Sequence, residues 1–297
     1  MVTTENEARP AADSYTGSVV RLLVRCLTAI GVRLSRQDWL ESVIDTMSAE
    51  ELGSLAARRL NDAVSTAPDT LTNDLVAACE QATGGRIHYS QEGEDIYLSR
   101  FYGEKRDGFF VDVGAHHPIR FSNTYALYRR GWRGVNIDAT PGSMAVFDRF
   151  RPGDTNIECA VSDKSERLTF HVFKEGALNT FDRDLAASYV RSGFEQLESV
   201  ELTTRPLAAL LDECVGAGQK IDVLSIDVEG SDLAVLRSSD WQKYSPDVVI
   251  IEALDTPFSD VPEHPCVKFL AGKGYEPIAR LTNSILLRRK DVPCREA

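Results

Sequence analysis

Residues 109–124 read FFVDVGAHHPIRFSNT. Phe109–Val113 is an apolar run interrupted only by Asp112, the pattern of a strand buried on both faces. Gly114 then opens a loop, since a residue without Cβ lets backbone come close to a ligand. A dinucleotide loop would carry GxGxxG, and a nucleotide-phosphate loop GxxxxGK[ST]. Neither is present, so NAD and ATP phosphates are poorly served. Asp112, one strand-step before the glycine, would repel a diphosphate and welcome an ammonium or sulfonium. His116 and His117 follow on the same loop, and neighbouring side chains point in different directions. The expectation is a structural role for their ring nitrogens in the turn, with His117 as one option for a base.

Outward from this stretch, residues 86–297 alternate short apolar runs with helical patterns, which predicts an α/β domain with a mostly parallel sheet. Strands are expected at 109–113, 134–138, 156–161, 221–227, 247–253, 275–281 and 283–289, the last two pairing antiparallel. RLTFHVF (167–173) and SVELTTR (199–205) suggest an extra ribbon. Between them, residues 182–197 read as a helix, and 174–198 could cap the site. Upstream, residues 1–14 read as a disordered tail and 15–85 as a helical extension, with Ser48 to Glu51 as a capping box. Those helices suit packing or homo-oligomerisation.

Composition narrows the function classes. The chain has 297 residues, 43% hydrophobic, a net charge of −12 and a pI of about 5.0. An acidic surface argues against broad binding to nucleic acid or anionic membrane. Six scattered cysteines without a CxxC pair suggest neither a zinc site nor a disulfide framework, and isolated thiols suit the cytoplasm. No apolar signal core or membrane-length run is apparent.

In open parallel sheets, ligands sit beyond the carboxyl ends of the strands. The predicted strands end in Asp112, Asp138, Glu158, Asp227–Glu229 and Glu252, so carboxylates stand along one edge. Any one of them could simply cap a helix; five together point to a site. Asp138, 24 residues after Gly114 and on the next strand, is where a carboxylate grips ribose hydroxyls. A nucleoside with a cationic tail is S-adenosylmethionine. Its carboxylate could rest near Ser122–Asn123–Thr124, although Ser122 or Asn123 is equally an ordinary helix cap. Asp227, Glu229 and Glu252 could converge as a base or as hard oxygen ligands for magnesium or a similar divalent cation. His264 is a rival base.

The segments SQEGED (90–95), FVDVGAHHP, SNT, LYRRGWRGVNIDATP, AVSD, LNTFD and LSIDVEG, in this order over about residues 86–290, resemble the FkbM family of S-adenosylmethionine-dependent methyltransferases. That resemblance implies a class I methyltransferase, Rossmann-like seven-stranded sheet with its last strand antiparallel. It implies methylation of a hydroxyl on a sugar or natural-product acceptor. By the same resemblance, Asp112 and Gly114 would hold the methionine moiety with Gln91 and Asn123 nearby. Asp138 would bind the ribose, and Ala139, Glu158 and Ala160 would flank the adenine. An NAD-dependent oxidoreductase and an idle binding module that kept the fold are the alternatives. The missing phosphate glycines oppose the first, and the retained strand-end carboxylates oppose the second.

Overall fold

The computed structural model describes residues 87–293. The expectations for the tail 1–14, the helices of 15–85 and the capping box at Ser48 lie outside the described residues.

The chain runs α1 (Glu94–Tyr102), β1 (Phe109–Val113), α2 (Tyr125–Arg129), β2 (Arg133–Asp138), α3 (Met144–Phe150), β3 (Thr155–Glu158), β4 (Ala160–Val161) and β5 (Arg167–Phe173). It continues through α4 (Arg183–Arg191), β6 (Gln196–Arg205), α5 (Leu207–Cys214), β7 (Val223–Ile226), α6 (Asp232–Arg237), β8 (Val248–Glu252), α7 (Pro265–Ala271), β9 (Tyr275–Arg280) and β10 (Ser284–Arg289). Seven strands form one sheet in the order β3-β2-β1-β7-β8-β10-β9. Only β10 runs against the others, pairing antiparallel with β8 and β9. β1 lies between β2 and β7, so the strand order reverses there. A crevice at this switch point is the usual ligand position in such sheets.

The apolar runs have two faces because strand side chains alternate. Val111, Val113, Ile137 and Ile251 face α5, α6 and α7, where Leu207, Leu211, Leu236 and Leu270 are buried. Phe110, Val223 and Ile250 face the other way, onto Leu98 and Tyr102 of α1, Leu127 of α2, and Trp132. Each such fully buried side chain contributes roughly 1.5–3 kcal/mol. Trp132 is fully buried and donates from Nε1 to the Lys105 carbonyl at 2.9 Å, as a packed residue of the GWRG turn.

One predicted strand divides in two. Residues 156–161 leave the main sheet after Glu158. Cys159 N donates to the Asp138 carbonyl at 2.9 Å, and Ala160–Val161 then pair with β6 in a separate sheet ordered β4-β6-β5. The predicted ribbon is this second sheet, with β5 and β6 antiparallel. The helix expected over 182–197 is shorter. It begins at the Asp182 cap, whose Oδ1 accepts from Asp184 N and Leu185 N at 2.8 and 2.9 Å. It stops before Gly193 at φ +93°, and β6 starts at Gln196.

Candidate active site

A cavity of about 230 Å³ opens at the carboxyl ends of β1, β2, β7 and β8. Its walls include Gln91, Gly114, His116, Asp138, Ala139, Asp227, Glu229 and Glu252.

Gly114 is required by geometry. It sits at φ +80°, and a Cβ there would lie 1.7 Å from the Asp227 carbonyl oxygen. The loops after β1 and β7 therefore touch backbone to backbone, tied by Asp227 N donating to Val113 O at 2.9 Å. Asp138 organises the next wall. Its Oδ2 accepts from His116 N and its Oδ1 from Thr140 N, both at 2.8 Å. Each carboxylate oxygen keeps lone-pair capacity for a ligand hydroxyl.

SQEGED divides its labour. Ser90 Oγ accepts from Gly93 N and Asp95 N and donates to Asp95 Oδ1, fixing the start of α1. Glu92 Oε2 accepts from Asn283 N, and Glu94 Oε1 from Ser284 Oγ, which fastens that turn to β10. Gln91 is left facing the cavity.

Residues 174–198 form the opposite wall. Gly176, Ala177, Leu178, Asn179, Phe181 and Tyr189 line the cavity. Arg120 holds this segment to the first loop through two bonds to Glu175, at 3.0 and 3.1 Å. Asn179 Nδ2 donates to Thr140 Oγ1 at 2.9 Å, and Thr180 Oγ1 to the Glu229 carbonyl at 2.9 Å. Tyr189 donates its hydroxyl to Glu229 Oε2 at 2.8 Å.

The acidic end has its own chemistry. Asp227, Glu229 and Glu252 each bring a carboxylate oxygen within 4.8 Å of the others. Burial and mutual repulsion raise the proton affinity of Asp227 and Glu252, Glu252 to about 10, while burial raises that of Glu229. Asp232, which accepts from Glu252 N, is pushed up to about 7 by burial. These groups therefore cost stability where they are charged. With a folded value above the unfolded one, Glu252 binds more protons in the native state, so stability falls as pH rises from about 4.3 toward its folded value. Glu252→Gln is expected to melt several degrees above wild type near pH 8 and level with it near pH 4. A thermal scan at the two pH values checks this, and equal melting at both would show that the repulsion is relieved elsewhere.

Several residues expected at the site stand outside the cavity lining. Asp112 is buried beneath the loop. Its Oδ2 accepts from Thr124 Oγ1 at 2.7 Å, and Thr124 Oγ1 in turn accepts from buried Arg151 at 2.9 Å. Burial raises its proton affinity, and through Thr124 it braces the loop from below. Asn123 donates from Nδ2 to Ser225 Oγ at 3.1 Å. Glu158 is exposed and accepts from Gly142 N at 2.6 Å. Ala160 is buried where the chain enters the second sheet, while its neighbours Cys159 and Val161 reach the cavity. His117 is corrected as a base: its Nδ1 accepts from Ile119 N and Arg120 N at 3.1 and 3.0 Å. Burial lowers its pKa to about 4, which leaves it a poor proton acceptor. His264 also lies outside the lining.

The reading from sequence missed Tyr189, Asn179 and Phe121. Tyr189 reaches the cavity on α4, Asn179 from LNTFD just before it, and Phe121 from the loop after β1. Backbone strain marks the site independently. Four non-glycine residues among those described have positive φ, and His116, Phe121 and Glu229 of these line the cavity. Such strain costs about 1–3 kcal/mol per residue and gathers at functional sites.

A cavity at the switch point of a seven-stranded, mostly parallel sheet, with Asp138 on its wall, is the ligand position of a Rossmann-like fold. The methyltransferase FkbM domain matches residues 112–277, more than half of the chain, and the chain belongs to this family of S-adenosylmethionine-dependent methyltransferases. No curated protein matches it in sequence. Similar solved structures include a protein of Pyrococcus horikoshii described as a putative RNA methyltransferase, at 11% identity and TM-score 0.33, covering 66% of this chain and 83% of that one. Another is the 1,6-didemethyltoxoflavin-N1-methyltransferase of Burkholderia thailandensis, bound to 1,6-didemethyltoxoflavin and S-adenosylhomocysteine. It shows 13% identity and TM-score 0.33, covering 82% of this chain and 92% of that one. Among the described residues, no helix is long and apolar enough to cross a membrane.

The cavity fits the cofactor's chemistry. Gly114 admits close approach, Asp138 has lone pairs for hydroxyls, and Ile137, Cys159, Val161 and Phe170 give an apolar wall suited to a purine. A buried polar atom, His116 Nε2, has no partner among the described residues.

Proposed function

We propose that this enzyme methylates a hydroxyl of a sugar or natural-product scaffold. The sulfonium supplies an already activated methyl group when the cofactor is bound. What the chain must add is alignment, exclusion of water and removal of the hydroxyl proton; positioning alone can supply roughly 7–11 kcal/mol. The observation that carries the reading is the cluster of Asp227, Glu229 and Glu252 beside the cofactor cavity, with raised proton affinities. A hydroxyl is a poor nucleophile, and a general base works best with a pKa near the working pH. Burial raises these carboxylates and so makes them stronger proton acceptors than free ones, with Asp227 and Glu229 as the groups to take the proton. Tyr189 on α4 lines the cavity and donates its hydroxyl to Glu229. Acceptors are screened by mass shift after incubation with S-adenosylmethionine. A hydroxylated acceptor should gain one methyl, and methylation confined to amines would overturn the reading.

Once an acceptor is found, Asp227→Asn is expected to lower kcat by about 100-fold or more, the usual share of a general base, with little change in S-adenosylhomocysteine affinity. Equal losses in both would assign Asp227 to loop structure.

The second reading uses the same oxygens to hold magnesium or a similar hard cation, favoured by their 4.8 Å grouping. Asp227, Glu229 and Glu252 would be its ligands, and the ion would supply charge to an ionising hydroxyl. Loss of turnover in chelator, restored by magnesium, would favour this reading over a bare carboxylate base.

A further inference from the structure

We propose that His116 completes the ribose site begun by Asp138, with its Nε2 hydrogen-bonding to a ribose hydroxyl of the cofactor. This rests on the assignment of S-adenosylmethionine to the cavity.

The geometry is specific. His116 N donates to Asp138 Oδ2 at 2.8 Å, so the histidine backbone is fixed to the carboxylate that faces the cavity. Its φ is +52°, a conformation that a β-carbon-bearing residue pays about 1–2 kcal/mol to adopt. The surrounding turn enforces it: His117 N donates to Ala115 O, and His117 Nδ1 accepts from two backbone N–H groups ahead. The ring is wedged between two walls. It lies 6.4 Å from the Phe121 ring, inclined by 23°, and a Cβ on Gly176 would stand 3.4 Å from its Cε1. Gly176 thus packs against the imidazole at ordinary van der Waals distance. So placed, the ring lines the cavity, and its Nε2 is buried with no partner among the described residues.

A buried polar atom without a partner costs free energy, and each such atom in a native protein asks for an explanation. A ligand hydroxyl is the group that fits here. Burial keeps the imidazole neutral, with Arg120 pressing the same way and Asp138 and Glu175 opposing. A neutral ring offers one donor and one acceptor. Asp138 can only accept, so a hydroxyl that donates to it keeps an oxygen lone pair exposed. The Nε2–H tautomer supplies the matching donor. Carboxylate and imidazole thus satisfy both roles of one hydroxyl, which neither does alone.

The test is calorimetric titration of the full chain with S-adenosylhomocysteine and with its 2′-deoxy and 3′-deoxy analogues. His116→Phe keeps an aromatic ring but removes the nitrogen. It should weaken S-adenosylhomocysteine binding about tenfold. One deoxy analogue should bind wild type and His116→Phe alike, because the hydroxyl that Nε2 reads is gone. His116→Gln, which retains an amide donor, should recover part of the loss and serves if the phenylalanine variant folds poorly. Full affinity in His116→Phe overturns the proposal, as does an equal loss for the parent ligand and both analogues, which would mean packing alone. A wild-type chain that fails to bind S-adenosylhomocysteine overturns the cofactor assignment instead, and the role of His116 with it.

Discussion

Asp138→Ala is expected to raise the dissociation constant for S-adenosylhomocysteine by about 100-fold or more. Hydrogen bonds to a charged group contribute about 1.5–3 kcal/mol each, and two ribose hydroxyls are at stake. The carboxylate does a second job. It accepts from His116 N and Thr140 N, joining the loops after β1 and β2. Its removal therefore frees two backbone donors and lets both loops drift from the ligand. Asp138→Asn separates the two roles. An amide has one acceptor oxygen, so it can hold one loop N–H but loses the charge, and its affinity should fall between the other two proteins. Titration calorimetry reads all three, and an unchanged constant in the alanine variant would remove Asp138 from the ribose site.

Gly114→Ala should be the most damaging single methyl group in the described residues. The new Cβ would stand 1.7 Å from the Asp227 carbonyl oxygen, and that atom is backbone that cannot swing away. Relief requires β1 and β7 to part, which breaks the bond from Asp227 N to Val113 O. The left-handed conformation adds about 1–2 kcal/mol for alanine. A total loss of about 3 kcal/mol or more is expected, which at about 2–4 °C per kcal/mol lowers the melting temperature by about 6–12 °C. Cofactor affinity should vanish with it, because the Asp227 loop moves. Scanning calorimetry with and without S-adenosylhomocysteine checks both effects, and wild-type melting would mean that the two loops do not meet as described.

Both predictions start from residues that could be picked out by eye, and the reason is physical. A strand buried on both faces has to be apolar, so Phe109–Val113, Val223–Ile226 and Val248–Glu252 announce themselves. The residue where such a strand leaves the sheet is free to be polar, so a carboxylate there stands out. Asp138, Asp227, Glu229 and Glu252 were visible for that reason, and the family resemblance extended the reading to Gln91. Asp112 was visible too, but its partners were not. Sequence shows that a carboxylate lies near a loop, not which side of the loop it lies on. The bond from Thr124 and the buried Arg151 that make it a brace come from residues 12 and 39 positions away.

The paired histidines show the same limit. Their position on the loop after β1 is plain from sequence, but their roles are set by backbone dihedrals. With His116 at φ +52°, one ring turns toward the cavity and the next turns back onto its own chain. The division of residues 156–161 between two sheets is likewise decided by long-range pairing, since Ala160 and Val161 meet Thr204 and Arg205 far along the chain.

By itself, the sequence determined the parallel α/β sheet, the family, the absence of a phosphate loop and the sheet edge on which carboxylates gather, because burial and strand termini impose residue types locally. Only the tertiary structure decided which polar groups face the cavity. It placed Tyr189 against Glu229 and gathered three carboxylates within 4.8 Å. It also left Nε2 of His116 without a partner among the described residues. Those are relations between segments far apart in the chain, and no periodicity records the direction in which a side chain points once the segments meet.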